Sequence, residues 1–176
     1  AVKPLWEHAS EKIYFSTDHH WTQRGSYYAY QAFKEAKGET APSLDSYERQ
    51  VSENYVGSFA AKMEGTPGEE ILKANPDYVE KFMPLVEANG TIYNDQERQQ
   101  VKYENVPVIK DYNSYIAFIA GDNPMTVYKT SDVNGKKLVI LKESYGNAFS
   151  TWTVNDYSEV YIVDIRRFNG NDGNTN

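Results

Sequence analysis

Asp18, His19, His20 and Trp21 follow one another near the start of the chain and combine a carboxylate with two of its three histidines. In an extended segment, side chains alternate between two sides, so we expect Asp18 and His20 on one side and His19 on the other. Asp18 could then hold one ring nitrogen of His20 while the other nitrogen acts as a base toward a substrate. The alternative is a polar turn that caps a following helix and packs on Trp21.

Ser144 is the second candidate, because it follows a hydrophobic run at 138–141 and precedes a predicted helix. A serine at a strand-to-helix turn has an exposed hydroxyl and lies near backbone N–H groups that can bind an oxyanion. It also benefits from the positive end of the helix dipole. The alternative is that Ser144 is only the N-cap of the helix, a position that serine commonly occupies.

The two segments together contain the groups of a Ser-His-Asp site, because a hydroxyl nucleophile needs a base and an oriented histidine needs a group to deprotonate. We therefore predict Ser144 as nucleophile, His20 as base and Asp18 as the residue that orients the base. Such a site performs acyl transfer through a covalent intermediate. It requires no cofactor.

Four more residues are candidates for binding the oxyanion or the substrate: Asn147, Tyr145, Trp21 and Arg166. Asn147 could add a side-chain donor for the oxyanion. Tyr145 and Trp21 could stack on sugar rings, although aromatic residues more often belong to a core. Arg166 either forms a structural ion pair with Asp164 or binds a substrate carboxylate.

A metal site is the alternative chemistry for Asp18, His19 and His20. Metal-dependent phosphoesterases with a similar motif need several more Asp and His ligands, and His8 is the only other histidine of the chain. The sequence also has no cysteine, which excludes thiolate zinc sites and thiol nucleophiles. We therefore predict no metal ligands.

Secondary-structure patterns around the first segment favour a strand followed by a helix. Ile13 to Phe15 is a short β-favouring run, Thr22 is a candidate N-cap, and apolar residues recur at helical spacing from Gln23 to Lys37. Gly38 is a plausible C-cap. The strand would deliver Asp18 and His20 to the edge of a sheet.

The C-terminal third predicts two buried strands, one over residues 136–141 and one over 159–165, with a short helix between them. Between them and the first helix, residues 39–105 are broken by many Pro and Gly residues, so we interpret this segment as an irregular insertion or cap. These patterns predict one α/β domain over residues 1–168. Residues 169–176 are rich in Gly and Asn, which predicts a disordered tail.

Composition restricts the partners of the chain. With 176 residues it is long enough for one ordinary core. Its net charge of −7 and scattered basic residues exclude a typical nucleic-acid surface, and no apolar run reaches the roughly 18 residues that cross a bilayer. Tyr, Asn, Ser and Thr are abundant and cysteine is absent, which favours an extracellular protein that meets polar ligands.

Three stretches of the sequence, YFSTDHHWTQRGSYYAYQAF, KKLVILKESYGNAF and SEVYIVDIRRF, resemble the DHHW family of exported bacterial proteins. That family is itself similar to SGNH-like alginate O-acetyltransferase domains, in which Asp-x-His comes early and the nucleophilic Ser comes late. The resemblance therefore implies the same roles for Asp18, His20 and Ser144. Glu143 departs from the pattern, because relatives often have Asp before the Ser.

The resemblance implies an SGNH-hydrolase-like three-layer sandwich around a parallel sheet. It also implies a segment before the Asp-His-His-Trp motif with the first sheet strand, so the fold can be incomplete at its N-terminus. The implied activity is O-acyl transfer, typically of acetyl, or ester hydrolysis on a cell-surface or secreted glycan. The partners would be an acyl donor, a polysaccharide acceptor and further envelope proteins. The alternative function is a non-catalytic binding or envelope-assembly module that retains the fold.

Overall fold

The computed structural model describes residues 2–96, 99–131 and 134–168. Within these ranges the chain forms helices and strands in the following order. The helices are α1 (Val2–Glu7), α2 (Gln23–Ala36), α3 (Ser58–Lys62), α4 (Pro67–Ala74) and α5 (Gly146–Thr153). The strands are β1 (Arg49–Tyr55), β2 (Asp77–Phe82), β3 (Ala88–Gln96), β4 (Gln99–Val106), β5 (Met125–Thr130), β6 (Lys137–Lys142) and β7 (Glu159–Asp164).

The main sheet has five strands in the order β4-β3-β5-β7-β6. Among its pairings, β6 with β7 is parallel, and the pairs β3/β4, β3/β5 and β5/β7 are antiparallel. The predicted parallel sheet is therefore wrong for most of this sheet. The physical reason is connectivity: α5 carries the chain back from β6 to a parallel β7, whereas β3 and β4 are consecutive strands that pair as antiparallel neighbours.

Strand β6 lies at one edge of the sheet, and this changes its predicted burial. Leu138 and Ile140 pack against the core, but Val139 and Leu141 on the opposite face are 63% and 70% exposed. The prediction of a fully buried strand is thus wrong for one face of β6. Neighbouring β7 does bury Val160 and Ile162 completely or nearly so.

The segment 39–105, predicted as irregular, contains β1, β2, β3, all of β4 except its last residue, α3 and α4. Strands β1 and β2 form a separate antiparallel two-stranded sheet, and β3 and β4 extend the main sheet. The prediction that this segment is irregular is therefore wrong. The many Pro and Gly residues lie mostly between short helices and strands and at their ends. Because these helices and strands are short and so often interrupted, the sequence pattern does not indicate them. That the segment is an insertion or cap stays a prediction.

The predicted helix after Thr22 is confirmed as α2. The Thr22 side chain accepts a hydrogen bond from the Gly25 backbone N–H, as an N-cap does. Gly38, with a positive φ of 72°, follows the helix end and donates to the Glu35 carbonyl. One face of α2 packs on α5, where Trp152 is 1% exposed. Helix α2 thereby anchors the end of the motif that precedes it.

The predicted strand over Ile13 to Phe15 is reduced to a single antiparallel bridge between Tyr14 and Trp21. It does not join either sheet, so the expectation that it ends at the edge of the main sheet is wrong. The bridge instead closes a tight loop over residues 16–20.

None of the helices in the described residues is long and apolar enough to cross a membrane. The tail predicted at 169–176 lies outside the described residues.

Candidate active site

The loop over residues 16–20 is closed by backbone hydrogen bonds on both sides. The Phe15 N–H donates to the His20 carbonyl at 3.2 Å, and the Thr22 N–H donates to the Ile13 carbonyl at 3.0 Å. Gly25 lies against the Ile13 carbonyl so closely that an added Cβ would come within 2.1 Å of that oxygen. This contact explains why a glycine stands in the first turn of α2.

Asp77, at the start of β2, holds the first half of the loop. Its buried carboxylate accepts hydrogen bonds from the backbone N–H groups of Ser16 and Thr17 and from the Thr17 hydroxyl, and it pairs with the Lys12 ammonium group. The Thr17 hydroxyl oxygen in turn accepts from the Gly57 N–H at 2.9 Å. The loop is therefore fixed by side chains and backbone more than 30 residues away in sequence.

Three predicted residues meet at this loop. The Asp18 carboxylate oxygen Oδ1 lies 2.5 Å from His20 Nδ1, and His20 Nε2 lies 2.8 Å from the Ser144 hydroxyl. The side chains of Asp18 and His20 are 4% and 10% exposed. The structure thus places the Ser144 hydroxyl, the His20 ring and the Asp18 carboxylate in one continuous chain of contacts.

The environment of Asp18 keeps its carboxylate charged. Oδ2 accepts a hydrogen bond from the Ser58 backbone N–H at 2.8 Å and another from the Tyr55 hydroxyl at 3.1 Å. Burial alone would raise the pKa of Asp18, but hydrogen bonds from the His20 ring and the Ser58 and His20 backbones outweigh burial and hold the pKa well below its usual range. A charged carboxylate can only accept, so His20 Nδ1 carries a proton, and in the neutral form of the ring Nε2 is the acceptor that faces the Ser144 hydroxyl.

Ser144 lies at the turn between β6 and α5. The N-cap position of α5 is Tyr145, without a side-chain capping bond, while the Ser144 carbonyl accepts from the Asn147 N–H. The interpretation of the Ser144 hydroxyl as a helix cap is therefore wrong. Its hydroxyl is directed to His20 instead.

Tyr145 and Trp21 border the triad. The Tyr145 ring centroid lies 5.2 Å from that of His20 and 5.5 Å from that of Trp21. The Trp21 indole N–H donates to the Tyr145 carbonyl at 3.0 Å, and the Tyr145 hydroxyl donates to the His19 carbonyl. Both aromatic residues tie the first segment to the turn that bears Ser144.

Asn147 and Arg166 have other partners. The Asn147 side-chain amide donates to Asp122 at 2.9 Å, and the Arg166 guanidinium pairs with Asp122 and Asp164. Lys142, buried at the end of β6, completes this ion-pair cluster. In the described residues no hydrogen bond joins either predicted side chain to Asp18, His20 or Ser144. The ion pair of Arg166 with Asp164 is present, and the substrate-binding roles of Asn147 and Arg166 stay predictions.

His19 does not lie on the side opposite to His20, contrary to the alternation argument. Its ring centroid is 3.8 Å from the His20 ring, and its Nδ1 lies 3.0 Å from the Ser58 hydroxyl. The reason is that residues 16–20 form a bent loop rather than an extended strand. Potential metal-ligand atoms of Asp18, His19 and His20 accordingly lie within 4.8 Å of one another. Asp18 and His20 already take part in the chain of contacts that leads to the Ser144 hydroxyl.

Several residues at the site gave no signal in the sequence. Tyr55, Ser58 and Asp77 belong to the segment interpreted as an insertion, and Tyr115 lies in a short 3-10 turn at Tyr115–Ala117. The Tyr115 ring stacks on His20, with centroids 3.8 Å apart. Nothing in the spacing of these residues identifies them, because tertiary packing alone brings them to the loop.

Comparison with known proteins gives both a family and structural neighbours. A family model described as DHHW protein matches residues 3–163. A DHHW family protein from Eubacterium siraeum is similar in structure with a TM-score of 0.83 and 31% identity, over 95% of this chain and 55% of its own. No curated protein matches the chain.

Two structures of PatB1 from Bacillus cereus are also similar. The first has a TM-score of 0.69 and 22% identity, over 94% of this chain and 60% of that one. The second, with a sulfonyl adduct, has a TM-score of 0.67 and 19% identity, over 94% and 58%. The chain spans less than two thirds of the length of each of these three solved chains.

Proposed function

From the premise that this chain belongs to the DHHW family, we propose that it carries a Ser-His-Asp acyl-transfer site. Ser144 is the nucleophile, His20 the general base and acid, and Asp18 the residue that orients His20. The single observation that carries the proposal is the pair of contacts of His20: 2.8 Å from Nε2 to the Ser144 hydroxyl and 2.5 Å from Nδ1 to Asp18. The 2.8 Å contact lies within the range of about 2.6–3.2 Å that a nucleophile and its base require, and the shorter Nδ1 contact holds the ring against the carboxylate.

The reaction has two halves. In the first, the Ser144 hydroxyl oxygen attacks the carbonyl carbon of an acyl donor while its proton passes to His20 Nε2. The tetrahedral intermediate then releases the leaving group, which takes the proton from His20, and an acyl-Ser144 ester remains. In the second half, an acceptor hydroxyl or water gives its proton to His20 and attacks this ester, and the second tetrahedral intermediate then releases Ser144, whose oxygen takes the proton back from His20. The charged Asp18 stabilises the imidazolium form of His20 in both halves.

The substrate class follows from family resemblance and is the finer part of the proposal. The acyl group is typically acetyl, and the acceptor is a cell-surface or secreted glycan, with hydrolysis when water takes its place. Tyr145 and Trp21 at the border of the triad support a contact with sugar rings. The corresponding fold is an SGNH-like three-layer sandwich, and the corresponding location is outside the bacterial cell, where partner proteins of the envelope could also bind.

A non-catalytic binding module is the second candidate, and two contacts favour it. The Asn147 amide, the predicted oxyanion donor, is bound to Asp122, and the Tyr145 backbone N–H donates to the Glu143 carboxylate at 3.3 Å. An acyl-transfer site needs donors directed at the developing oxyanion. For catalysis the exposed Glu143 carboxylate would have to release the Tyr145 N–H or another donor would have to serve.

An activated acetyl ester separates the two candidates. After incubation of the chain with p-nitrophenyl acetate and acid quenching, intact-mass measurement should detect one added acetyl group, and peptide mapping should assign it to Ser144. The Ser144→Ala variant should gain none. Ser43→Ala is a matched control, because Ser43 is exposed and its side chain makes no capping bond. A wild type without acetyl at Ser144 would favour the binding module.

A further inference from the structure

Tyr115 contacts both halves of the triad at once. Its ring lies parallel to the His20 ring, with an interplanar angle of 6° and centroids 3.8 Å apart. Its hydroxyl group lies 3.0 Å from the Ser144 carbonyl and 3.1 Å from the Tyr145 carbonyl, so it donates to the turn that bears the nucleophile. His20 and Ser144 are 124 residues apart in sequence, and this one side chain touches both segments.

The surroundings hold the Tyr115 ring in place. It is 4% exposed and packs edge-on against Phe15 and Phe118, with centroids 6.3 Å and 5.4 Å away. Burial raises the pKa of its hydroxyl well above the usual range. Tyr115 is therefore neutral at neutral pH, and its hydroxyl acts as a donor there.

The base needs such a contact. Rotation about the Cβ–Cγ bond of histidine has a broad energy profile, so the plane of the ring is set by what packs on it. Tyr115 covers one face of His20, and the His19 ring lies over the other at 3.8 Å with a tilt of 38°. The hydrogen bonds of the two ring nitrogens to Asp18 and Ser144 tolerate small changes in the tilt of the ring, and the rings packed against His20 limit that tilt.

We propose that Tyr115 is a positioning residue that aligns the base with the nucleophile: its ring fixes the plane of His20, and its hydroxyl fixes the turn at Ser144. This role rests on the proposed function of Ser144. The two parts of the role can be separated, because Tyr115→Phe keeps the stacked ring and removes the hydroxyl, whereas Tyr115→Leu removes both.

The probe is phenylmethylsulfonyl fluoride, which reports the reactivity of Ser144 without any assumption about the natural substrate. The Ser144 hydroxyl oxygen displaces fluoride from sulfur while its proton passes to His20, and the product is a sulfonyl ester of Ser144. Intact-mass measurement over time at several reagent concentrations yields a maximal labelling rate and an apparent binding constant. Thermal midpoints are measured for each variant in parallel.

A positioning role predicts a graded loss in the maximal labelling rate. Misplacement of reacting groups by about 1 Å can cost on the order of 100-fold, so we expect about tenfold loss for Tyr115→Phe and about 100-fold for Tyr115→Leu. The apparent binding constant should change by less than about threefold in both. Tyr128→Phe is the matched control, because Tyr128 is fully buried and its hydroxyl donates to the Pro107 carbonyl at 3.1 Å. It should label at the wild-type rate.

The outcomes distinguish this inference from the function on which it rests. A wild type that gains no sulfonyl group at Ser144 overturns the proposed function and the positioning role with it. If the wild type is labelled and both Tyr115→Phe and Tyr115→Leu are labelled at the wild-type rate, only the positioning role is overturned. So does an equal loss in Tyr115→Phe and Tyr128→Phe, since that would reflect a general loss of packing. If Tyr115→Leu does not fold, Tyr115→Phe alone decides.

Discussion

At the scale of single residues, the Ser144 hydroxyl is bonded to His20 and not to the N-terminus of α5. Its two candidate roles therefore predict opposite effects of Ser144→Ala. Loss of the nucleophile should lower turnover of an activated acetyl ester on the order of 10³-fold or more. The thermal midpoint should stay within about a degree of the wild type, whereas loss of a helix cap costs about 1 kcal/mol of unfolding free energy. Unchanged turnover with a lower midpoint would contradict the assignment.

The two adjacent histidines should differ in importance. His20→Ala removes the base and should abolish ester turnover. His19→Ala removes a ring that packs on His20 and a contact with the Ser58 hydroxyl. Asp18, Ser144 and Tyr115 still contact the base in that variant, so its loss should stay within roughly tenfold. The measurement is turnover with and without a chelator and with added divalent metal. Equal losses in both variants, together with metal dependence, would favour a metal site at Asp18, His19 and His20.

The three residues that meet at the loop, Asp18, His20 and Ser144, could be singled out from the sequence, and the residues that hold them could not. Asp18, His20 and Ser144 have side chains whose chemistry is specific, and they follow a motif or a hydrophobic run. Tyr115 and Asp77 have ordinary side chains in segments without a periodic pattern. Their contacts with the loop exist only after packing, so no local property of the chain indicates them.

At the scale of elements, the approach of α3 to the loop is what holds Asp18. A Cβ at Gly57 would lie 2.4 Å from the Asp18 Cβ and 2.7 Å from the Thr17 carbonyl oxygen. Both are fixed parts of the chain, so Gly57→Ala should push α3 away and lengthen the hydrogen bond from the Ser58 N–H to Asp18. We expect ester turnover to fall by about 10-fold to 100-fold. The thermal midpoint should fall as well.

Gly68→Ala is the matched control for this prediction. Its added Cβ would meet the end of the flexible Met63 side chain at 2.8 Å, which can move aside. Turnover and midpoint of Gly68→Ala should match the wild type. Wild-type behaviour of Gly57→Ala in both measurements would mean that α3 does not support the carboxylate.

The elements themselves show what sequence patterns can predict. Helix α2 has a cap, a regular apolar face and a glycine after its end, and all three local signals agree with the structure. Strands β6 and β7 were recognised by their hydrophobic runs. The sequence patterns do not indicate the direction of the neighbouring strands or the edge position of β6, because strand order depends on pairing between segments far apart in sequence.

At the scale of the whole molecule, the site exists only where three distant parts of the chain meet. The loop at 16–20, the pair of β2 and α3, and the turn between β6 and α5 each supply part of it. Buried carboxylates make many of the joining contacts. The carboxylates of Asp18, Asp77, Glu80 and Asp164 are 4% exposed or less. Stability and assembly of the site should therefore depend on the charge of the same groups.

In each of these four carboxyls, burial alone would raise the pKa, and hydrogen bonds or ion pairs outweigh burial and lower it. The main partners are His20 for Asp18, Lys12 and Thr17 for Asp77, Arg24 and Arg49 for Glu80, and Arg166 and Lys142 for Asp164. A carboxyl with a lowered pKa in the folded chain stabilises it above the unfolded pKa of about 4. That stabilisation is lost as the pH falls toward the folded value, because the unfolded chain then binds more protons.

The thermal midpoint should therefore be nearly constant from about pH 7 to pH 5 and fall steeply between about pH 5 and pH 2. The Asp77→Asn variant should be less stable than the wild type at pH 7, because an amide cannot pair with Lys12 as a carboxylate does. Its midpoint should also fall less on acidification, since one of the titrating groups is gone. Thermal unfolding of both proteins at matched ionic strength measures the two slopes. A wild-type midpoint that is unchanged down to pH 3, or equal slopes in the two proteins, would show that Asp77 does not stabilise the folded chain through its charge.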